Sequence, residues 1–285
     1  MSTDRVRRLR FALFTFVWGG GLLLAGCAGG GALSGDEAGP VGQQVAVPLA
    51  QTEAPFGYYR YLPPTYAGDD AGPYPLFVFL HGSGERGDGG RQLSRVRRHG
   101  PPRVIRAGEW PADRPFIVLS PQLDSTAAAW PVGRIDAFID HAVQTYRVDT
   151  TRIYLTGLSL GGHGTWAYAA THPDRLAAAA PVCGDGRRIV RKHDNSYCAL
   201  AGMPVWAFHG ADDPVVDPDG SIVPVRRLKA CTPSPNPAPR LTIFPGVGHD
   251  SWSRVYDGSG RQSPQADDWT PFDQSLYDWL LQYER

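Results

Sequence analysis

Arg152-Ile153-Tyr154-Leu155-Thr156-Gly157-Leu158-Ser159-Leu160-Gly161-Gly162 decides how the rest of this chain is read. A β-rich run, Ile153 to Thr156, passes directly into Gly-x-Ser-x-Gly, and a segment of helical character follows from Gly162 to about His172. Strand, sharp turn and helix are the context in which this motif presents a nucleophile. The turn forces the serine into a strained backbone conformation. Side chains two positions to either side would collide there, so Gly157 and Gly161 leave room. Such a turn lifts Ser159 Oγ clear of the sheet and aims the first N–H groups of the helix at an anion forming beside it. The motif alone fits an ordinary glycine-rich βα turn equally well, so its surroundings must decide.

The surroundings alternate strands with helices. Val45 to Leu49 and Gly57 to Leu62 read as opening strands. Leu76 to Leu80, Phe116 to Ser120, Leu176 to Val182, Pro204 to Phe208 and Leu241 to Phe244 are short apolar runs of the kind that strands covered on both faces require. Ile135, Phe138, Ile139, Ala142, Val143 and Tyr146 recur at helical spacing. Ile222 to Ala230 and Gln274 to Tyr283 read as two more helices. The pattern predicts an α/β fold with a mostly parallel sheet and helices on both faces, without repeats or a second domain. In such sheets ligands bind at the carboxyl ends of the strands. Those ends carry His81-Gly82-Ser83, Ser159, Cys183, Asp212-Asp213 and His249.

A serine hydroxyl needs an adjacent base, and the base needs an orienting group. In the α/β-hydrolase arrangement the order is Ser, then Asp or Glu, then His. Here His209-Gly210-Ala211-Asp212-Asp213 and Gly248-His249-Asp250-Ser251-Trp252 follow Ser159 in that order. The stretches 80–87, 152–166, 204–216 and 248–252 together resemble the α/β-hydrolase fold esterases of the dienelactone hydrolase and polyhydroxybutyrate-depolymerase-like branch, a group that also includes prolyl-oligopeptidase-like hydrolases. The resemblance spans most of residues 55–285. It implies Ser159 as nucleophile, His249 as base and Asp213 as acid, with Asp212 as the alternative acid. The N–H groups of Leu160 and of Ser83, or alternatively Gly84, are the expected oxyanion-hole donors. The stretch from Arg254 to Thr270 departs from the pattern, being longer and more polar, and is expected to form a rim over the site.

Other polar residues have plainer readings. His81 and His209 precede glycines at strand ends and are expected to tie their loops to backbone. His163 is expected in the first turn of the helix after the serine. Asp250 adjoins His249 too closely in sequence to bond its ring, and is expected to cap or to face solvent. Glu85 and Arg86 read as loop-locking partners. Trp130 and Trp252 are candidates to line an acyl or aryl pocket, whereas Trp166 belongs in the core. The run Arg86, Arg91, Arg95, Arg97, Arg98 and Arg103 reads as a solvated surface loop rather than a phosphate site.

The chain has 285 residues, 42% of them hydrophobic, enough to bury a large core. Its formal net charge of zero gives no reason to expect nucleic acid as a partner. Residues 1–26 are expected to be a signal peptide: Arg5, Arg7, Arg8 and Arg10 form a positive region before the apolar stretch Phe11 to Leu24, which is short for a membrane span. Leu24-Ala25-Gly26-Cys27 resembles a bacterial lipoprotein signal, making Cys27 the expected lipidation site and membrane anchor, and Arg7-Arg8 resembles a twin-arginine signal. Residues 27–44 read as a flexible tether and 45–285 as the hydrolase domain. Export permits disulfides. Cys198 and Cys231 both precede strands and so share one sheet edge, which pairs them and leaves Cys183 free. No metal or cofactor is implied. The expected activity is that of a serine esterase on a small-molecule or polysaccharide ester, exported and lipid-anchored. The alternatives are a prolyl-oligopeptidase-like peptidase and an inert hydrolase-fold binding lipoprotein.

Overall fold

The computed structural model describes residues 39–68, 72–187, 197–264, 266 and 268–285. The expected signal segment, Cys27 and the tether as far as residue 38 lie outside the described residues. The strands are β1 (Gln44–Val47), β2 (Tyr58–Tyr61), β3 (Tyr74–Leu80), β4 (Ile117–Pro121), β5 (Val148–Leu158), β6 (Ala178–Val182), β7 (Trp206–Gly210) and β8 (Arg240–Phe244). They form one 8-stranded sheet in the order β1-β2-β4-β3-β5-β6-β7-β8. β2 runs antiparallel to β1 and β4, and every pairing from β4 to β8 is parallel. The helices are α1 (Gly100–Arg106), α2 (Val132–Thr145), α3 (Leu160–Thr171), α4 (Asp219–Lys229), α5 (Trp252–Tyr256) and α6 (Leu276–Leu280).

Side-chain alternation along β3 sorts the core into two layers. Leu76, Val78 and Leu80 join one apolar cluster with Ile135, Phe138 and Ile139 of α2, Trp166 of α3, and Val225 and Leu228 of α4. Phe77 and Phe79 join the other, with Val104 and Ile105 of α1, Val255 and Tyr256 of α5, and Leu276 and Trp279 of α6. Helices therefore cover both faces, and each strand between them has apolar residues on either side. Packing rather than capping holds α2. It has no side-chain cap, and a cap contributes only about 1 kcal/mol. Each of Ile135, Phe138 and Ile139, buried on one face, contributes about 1.5–3 kcal/mol.

α1 and α5 were not expected from sequence. α1 opens on Gly100-Pro101-Pro102, and prolines that look like loop signals are tolerated in a first turn, where N–H groups have no helical partner. The closing helix is shorter than its apolar spacing suggests, because Ser275 Oγ accepts the Asp278 N–H and starts the helix there. The polar stretch before it does not sit wholly over the site as a rim. Ala266 N–H donates to Ile243 O and Thr270 N–H to Leu241 O, so this part runs back along the outer edge of β8 and satisfies its backbone. A disulfide joins Cys198, before β7, to Cys231, just after α4, with Cα atoms 5.5 Å apart. Cys183 is a buried free thiol.

β4 lies on one side of β3 and β5 on the other, so the chain changes direction across the sheet at β3. A crevice is expected beyond the carboxyl ends of strands at such a point. The loop after β3 and the turn after β5 flank it.

Candidate active site

Ser159 sits between β5 and α3 at φ 51°, ψ −116°, a strained positive-φ conformation that costs a non-glycine residue about 1–3 kcal/mol. The surroundings hold it there. Its N–H donates to Val182 O at 3.0 Å, and its carbonyl accepts both the His163 N–H (3.0 Å) and His163 Nδ1–H (2.7 Å). A β-carbon at Gly157 would lie 2.4 Å from Gly161 O, and one at Gly161 would lie 1.9 Å from Leu80 O. Only glycine lets the turn close against β3.

The expected acid and base come from the loops after β7 and β8. His249 Nε2 lies 2.9 Å from Ser159 Oγ, and His249 Nδ1 lies 2.7 Å from Asp213 Oδ2. With Nδ1–H donating to the carboxylate, Nε2 is free to accept the serine proton. Asp213 Oδ1 accepts the N–H groups of Val215 (2.8 Å) and Val216 (3.0 Å). Burial works to raise the Asp213 pKa, but the bonds from His249, Val216 and Val215 outweigh it and hold the carboxyl below its ordinary value. Asp212 is exposed, its N–H bonded to Val247 O, and does not take this place. Asp250 bonds Ser253 N and Oγ at the start of α5. Base loop and nucleophile strand are also tied directly. Tyr256 OH lies 2.9 Å from Thr156 Oγ1, and Thr156 donates to Ala180 O beneath the turn.

The loop after β3 is held from behind. His81 Nε2 accepts Leu123 N–H at 3.0 Å, so the ring proton is on Nδ1, which donates to Gly82 O at 2.6 Å. Burial keeps that ring neutral, lowering its pKa to about 4. In a planar trans peptide the N–H points opposite to the carbonyl, so the His81 ring sets the direction of the Ser83 N–H. The following carbonyls are engaged as well: Ser83 O by Arg86 Nε, Gly84 O by Arg98 Nη1, Glu85 O by Gln122 Nε2 and Arg86 O by Arg95 Nη1. Glu85 Oε2 accepts the Gly82 N–H at 3.1 Å. The expected solvated arginine loop is therefore in part a clamp, since three of its side chains grip the 83–86 backbone. This loop abuts the serine: a β-carbon on Gly82 would be 3.6 Å from Ser159 Cβ. Leu160 opens α3 and carries the first N–H beyond the serine.

Trp130 corrects one expectation. It is 3% exposed, donates from Nε1 to His81 O, and packs against Gly164, so it is core rather than pocket wall. Trp252 is half-buried, with its ring 5.1 Å from His249 and 5.5 Å from His99, nearly edge-on to the former. Trp166 is fully buried. Cys183, at φ 41°, directly follows β6, whose last residue Val182 pairs with Leu158 just before the serine. Among the described residues no group of three His, Cys, Asp or Glu could hold a metal ion.

Glu85 and Arg86 lock the loop as expected, but sequence reasoning missed Thr156, Tyr256, Gln122 and the parts of the clamp that Arg95 and Arg98 supply, and it gave His209 only a backbone role. A hydroxyl within the apolar run of β5 and a glutamine directly after β4 were the available signals, since buried polar groups need partners.

Comparison with known proteins finds hydrolases among the relatives of this chain. Over 169 residues the chain is 27% identical to a Methylorubrum extorquens protein named "Putative carboxymethylenebutenolidase", covering 58% of this chain and 55% of that one. The chain thus spans about half the length of this relative. Over 67 residues it is 42% identical to poly(3-hydroxyalkanoate) depolymerase C of Paucimonas lemoignei, covering 24% of this chain and 16% of that one. The crystal structure of a thermostable esterase superposes with TM-score 0.58 at 27% identity, covering 85% of this chain and 63% of that chain. Residues 111–276 match the Dienelactone hydrolase family, a span that holds Ser159, Asp213 and His249, and the chain belongs to that family.

Proposed function

We propose that this protein is a serine hydrolase that cleaves carboxylic esters through an acyl-enzyme. One observation carries the reading: Ser159 Oγ, the His249 ring and the Asp213 carboxylate form a continuous hydrogen-bonded line of 2.9 and 2.7 Å. Ser159 attacks the ester carbonyl while His249 Nε2 takes its proton. Asp213 holds the ring in the Nδ1–H form and stabilises the imidazolium. The N–H groups of Ser83 and Leu160 receive the oxyanion, and losing one such donor costs about 3 kcal/mol of transition-state stabilisation. His249 then protonates the departing alcohol and activates the water that releases the acyl group. The esterase and depolymerase named above support an ester as substrate, and we place it among esters of a small molecule or a polysaccharide. On the sequence grounds given, we also propose that Cys27 is lipidated and tethers the enzyme on the exported side of a bacterial membrane. The Cys198–Cys231 bridge supports an oxidising compartment.

A fluorophosphonate probe followed by peptide mapping tests the chemistry, together with turnover of aryl esters of graded acyl length and of acetylated xylan. Labelling at Ser159 with ester turnover is expected. A folded protein that is neither labelled nor active sinks the reading. Cleavage of proline peptides in place of esters transfers it to a peptidase.

A further inference from the structure

The carboxylate of Asp213 faces two imidazoles. His249 approaches Oδ2 from the loop after β8, and His209 Nε2, from β7, lies 3.2 Å from that same oxygen. The His209 side chain is fully buried. Its Nε2–H donates to Val216 O at 2.9 Å and meets Oδ2 as the longer, secondary contact, while its Nδ1 lies 2.8 Å from Ser221 Oγ on α4. Both neighbours of Nε2 are acceptors only, so Nε2 carries the proton. Nδ1 is then an acceptor, and the Ser221 hydroxyl, which can donate or accept, donates to it. The ring is locked by its partners into one tautomer.

From this geometry we infer that His209 is a positioning residue of the triad: a neutral Nε2–H donor, fixed by Ser221, that shares Oδ2 of Asp213 with His249 and limits how strongly the carboxylate holds the catalytic imidazole. The inference rests on the hydrolase reading above and goes beyond it by assigning a fourth side chain to the proton relay. A carboxylate oxygen with a second N–H dipole 3.2 Å away offers its first donor less charge than one that faces a single donor. His249 is thereby oriented by a carboxylate whose charge is shared, and a base that must take up and release a proton each turnover needs that balance. Burial favours the neutral form of His209 and lowers its pKa, against the raising effects of Val216 O and Asp213. The ionisable groups facing Asp213 are His209 from β7, His249 from the loop after β8, and the Cys183 thiol from the end of β6. That thiol is kept neutral by burial. His209 is the one of the three whose N–H competes with His249 for Oδ2.

The test compares wild type with His209→Leu, His209→Gln and Ser221→Ala, reading kcat/KM against pH on an aryl ester. In His209→Leu the carboxylate loses a donor and grips His249 alone. The acid limb is then expected to move up by about one pH unit, because hydrogen bonds to the charged form set such shifts. His209→Gln supplies an amide N–H and is expected to bring the limb back most of the way, while Ser221→Ala moves it less than His209→Leu. A kcat that falls equally at every pH, with the limb unmoved, overturns the inference. Nitrogen-15 NMR of the histidines in the wild-type protein gives a second check independent of how variants fold: a protonated Nε2 and unprotonated Nδ1 on His209 are required, and the opposite tautomer overturns the assignment. Failure of fluorophosphonate to label wild-type Ser159 strikes the hydrolase reading itself. A labelled Ser159 with an unmoved acid limb strikes only the role of His209.

Discussion

The α-carbon of Gly161 faces the carbonyl of Leu80 so closely that a β-carbon there would lie 1.9 Å from the oxygen. The obstacle is backbone at the end of β3, which cannot rotate away as a side-chain tip could. Gly161→Ala must therefore push α3 away from β3 and misplace Ser159 in the same movement. A loss of about 3 kcal/mol or more in urea unfolding is expected, together with loss of fluorophosphonate labelling. Gly133 in α2 is the contrast, with nothing within 4 Å of its added carbon. Gly133→Ala should raise stability by about 0.5–1 kcal/mol through the lower backbone entropy of the unfolded chain. Equal effects at the two positions would contradict the steric account.

Asp213→Asn should fold, because the amide oxygen can still accept the Val215 and Val216 N–H groups. The amide nitrogen would then face His249 Nδ1 and favour the ring form with its proton on Nε2, which cannot accept from Ser159. A fall in kcat of roughly 10³–10⁴ is expected, smaller than for Ser159→Ala or His249→Ala. Circular dichroism together with stopped-flow acylation separates this from unfolding. An Asn variant within tenfold of wild type would mean that Asp213 does not orient the base.

Residues whose role depends on where a strand ends were legible in the sequence. Ser159, Asp213 and His249 each follow an apolar run within three positions of a glycine, so chain order and sheet topology brought them to one edge before any distance was known. The pairing of Cys198 with Cys231 could be proposed for the same reason. Of the clamp on the 83–86 loop, only the roles of Glu85 and Arg86 were legible. Arg95 and Arg98 lie in a short 3-10 segment, Leu93–Arg98, whose direction nothing local in the sequence fixes. Gln122 reaches this loop from β4, 37 positions away in the chain. Periodicity reports which face of an element is buried, and it says nothing about which carbonyl a long polar side chain will find. α1 was missed because its opening glycine and prolines carry the same signal as a loop.

The clamp gives a graded prediction. Gln122 is 2% exposed and donates to the carbonyls of Glu85 and Gln92 while accepting the Gly89 N–H. Gln122→Ala leaves Glu85 O and the Gly89 N–H without partners, at about 1–3 kcal/mol for each unsatisfied group, while Gln92 O keeps the Arg95 N–H. It should also lower kcat more than it raises KM, since the loop would still bind ester but hold the oxyanion less well. Arg98→Ala, at an exposed contact to Gly84 O of 3.3 Å, should cost under about 1 kcal/mol, because water replaces the lost donor. Denaturation midpoints and steady-state kinetics on both variants check the order. A reversed ranking would remove Gln122 from the account.

Acid should unfold this protein partly through His81. In the unfolded chain its imidazole takes up a proton near pH 6.5, whereas burial in the native state lowers its pKa to about 4. Between those values the unfolded state binds more protons than the folded one, so stability falls as pH drops through the window and levels off below it. That gap corresponds to about 3 kcal/mol. His209, also lowered by burial, acts in the same sense. Asp213, held below its ordinary value, loses its contribution only at still lower pH. Glu85 opposes them, since burial raises its pKa and favours its protonated form as pH falls. Comparing a variant with wild type cancels these other groups. His81→Gln should therefore be less stable at neutral pH, having lost the bonds to Leu123 N–H and Gly82 O, and should show a flatter decline of the urea midpoint from pH 6.5 to 4. If the variant declines as steeply as wild type, His81 is not the buried neutral ring that sets the Ser83 peptide.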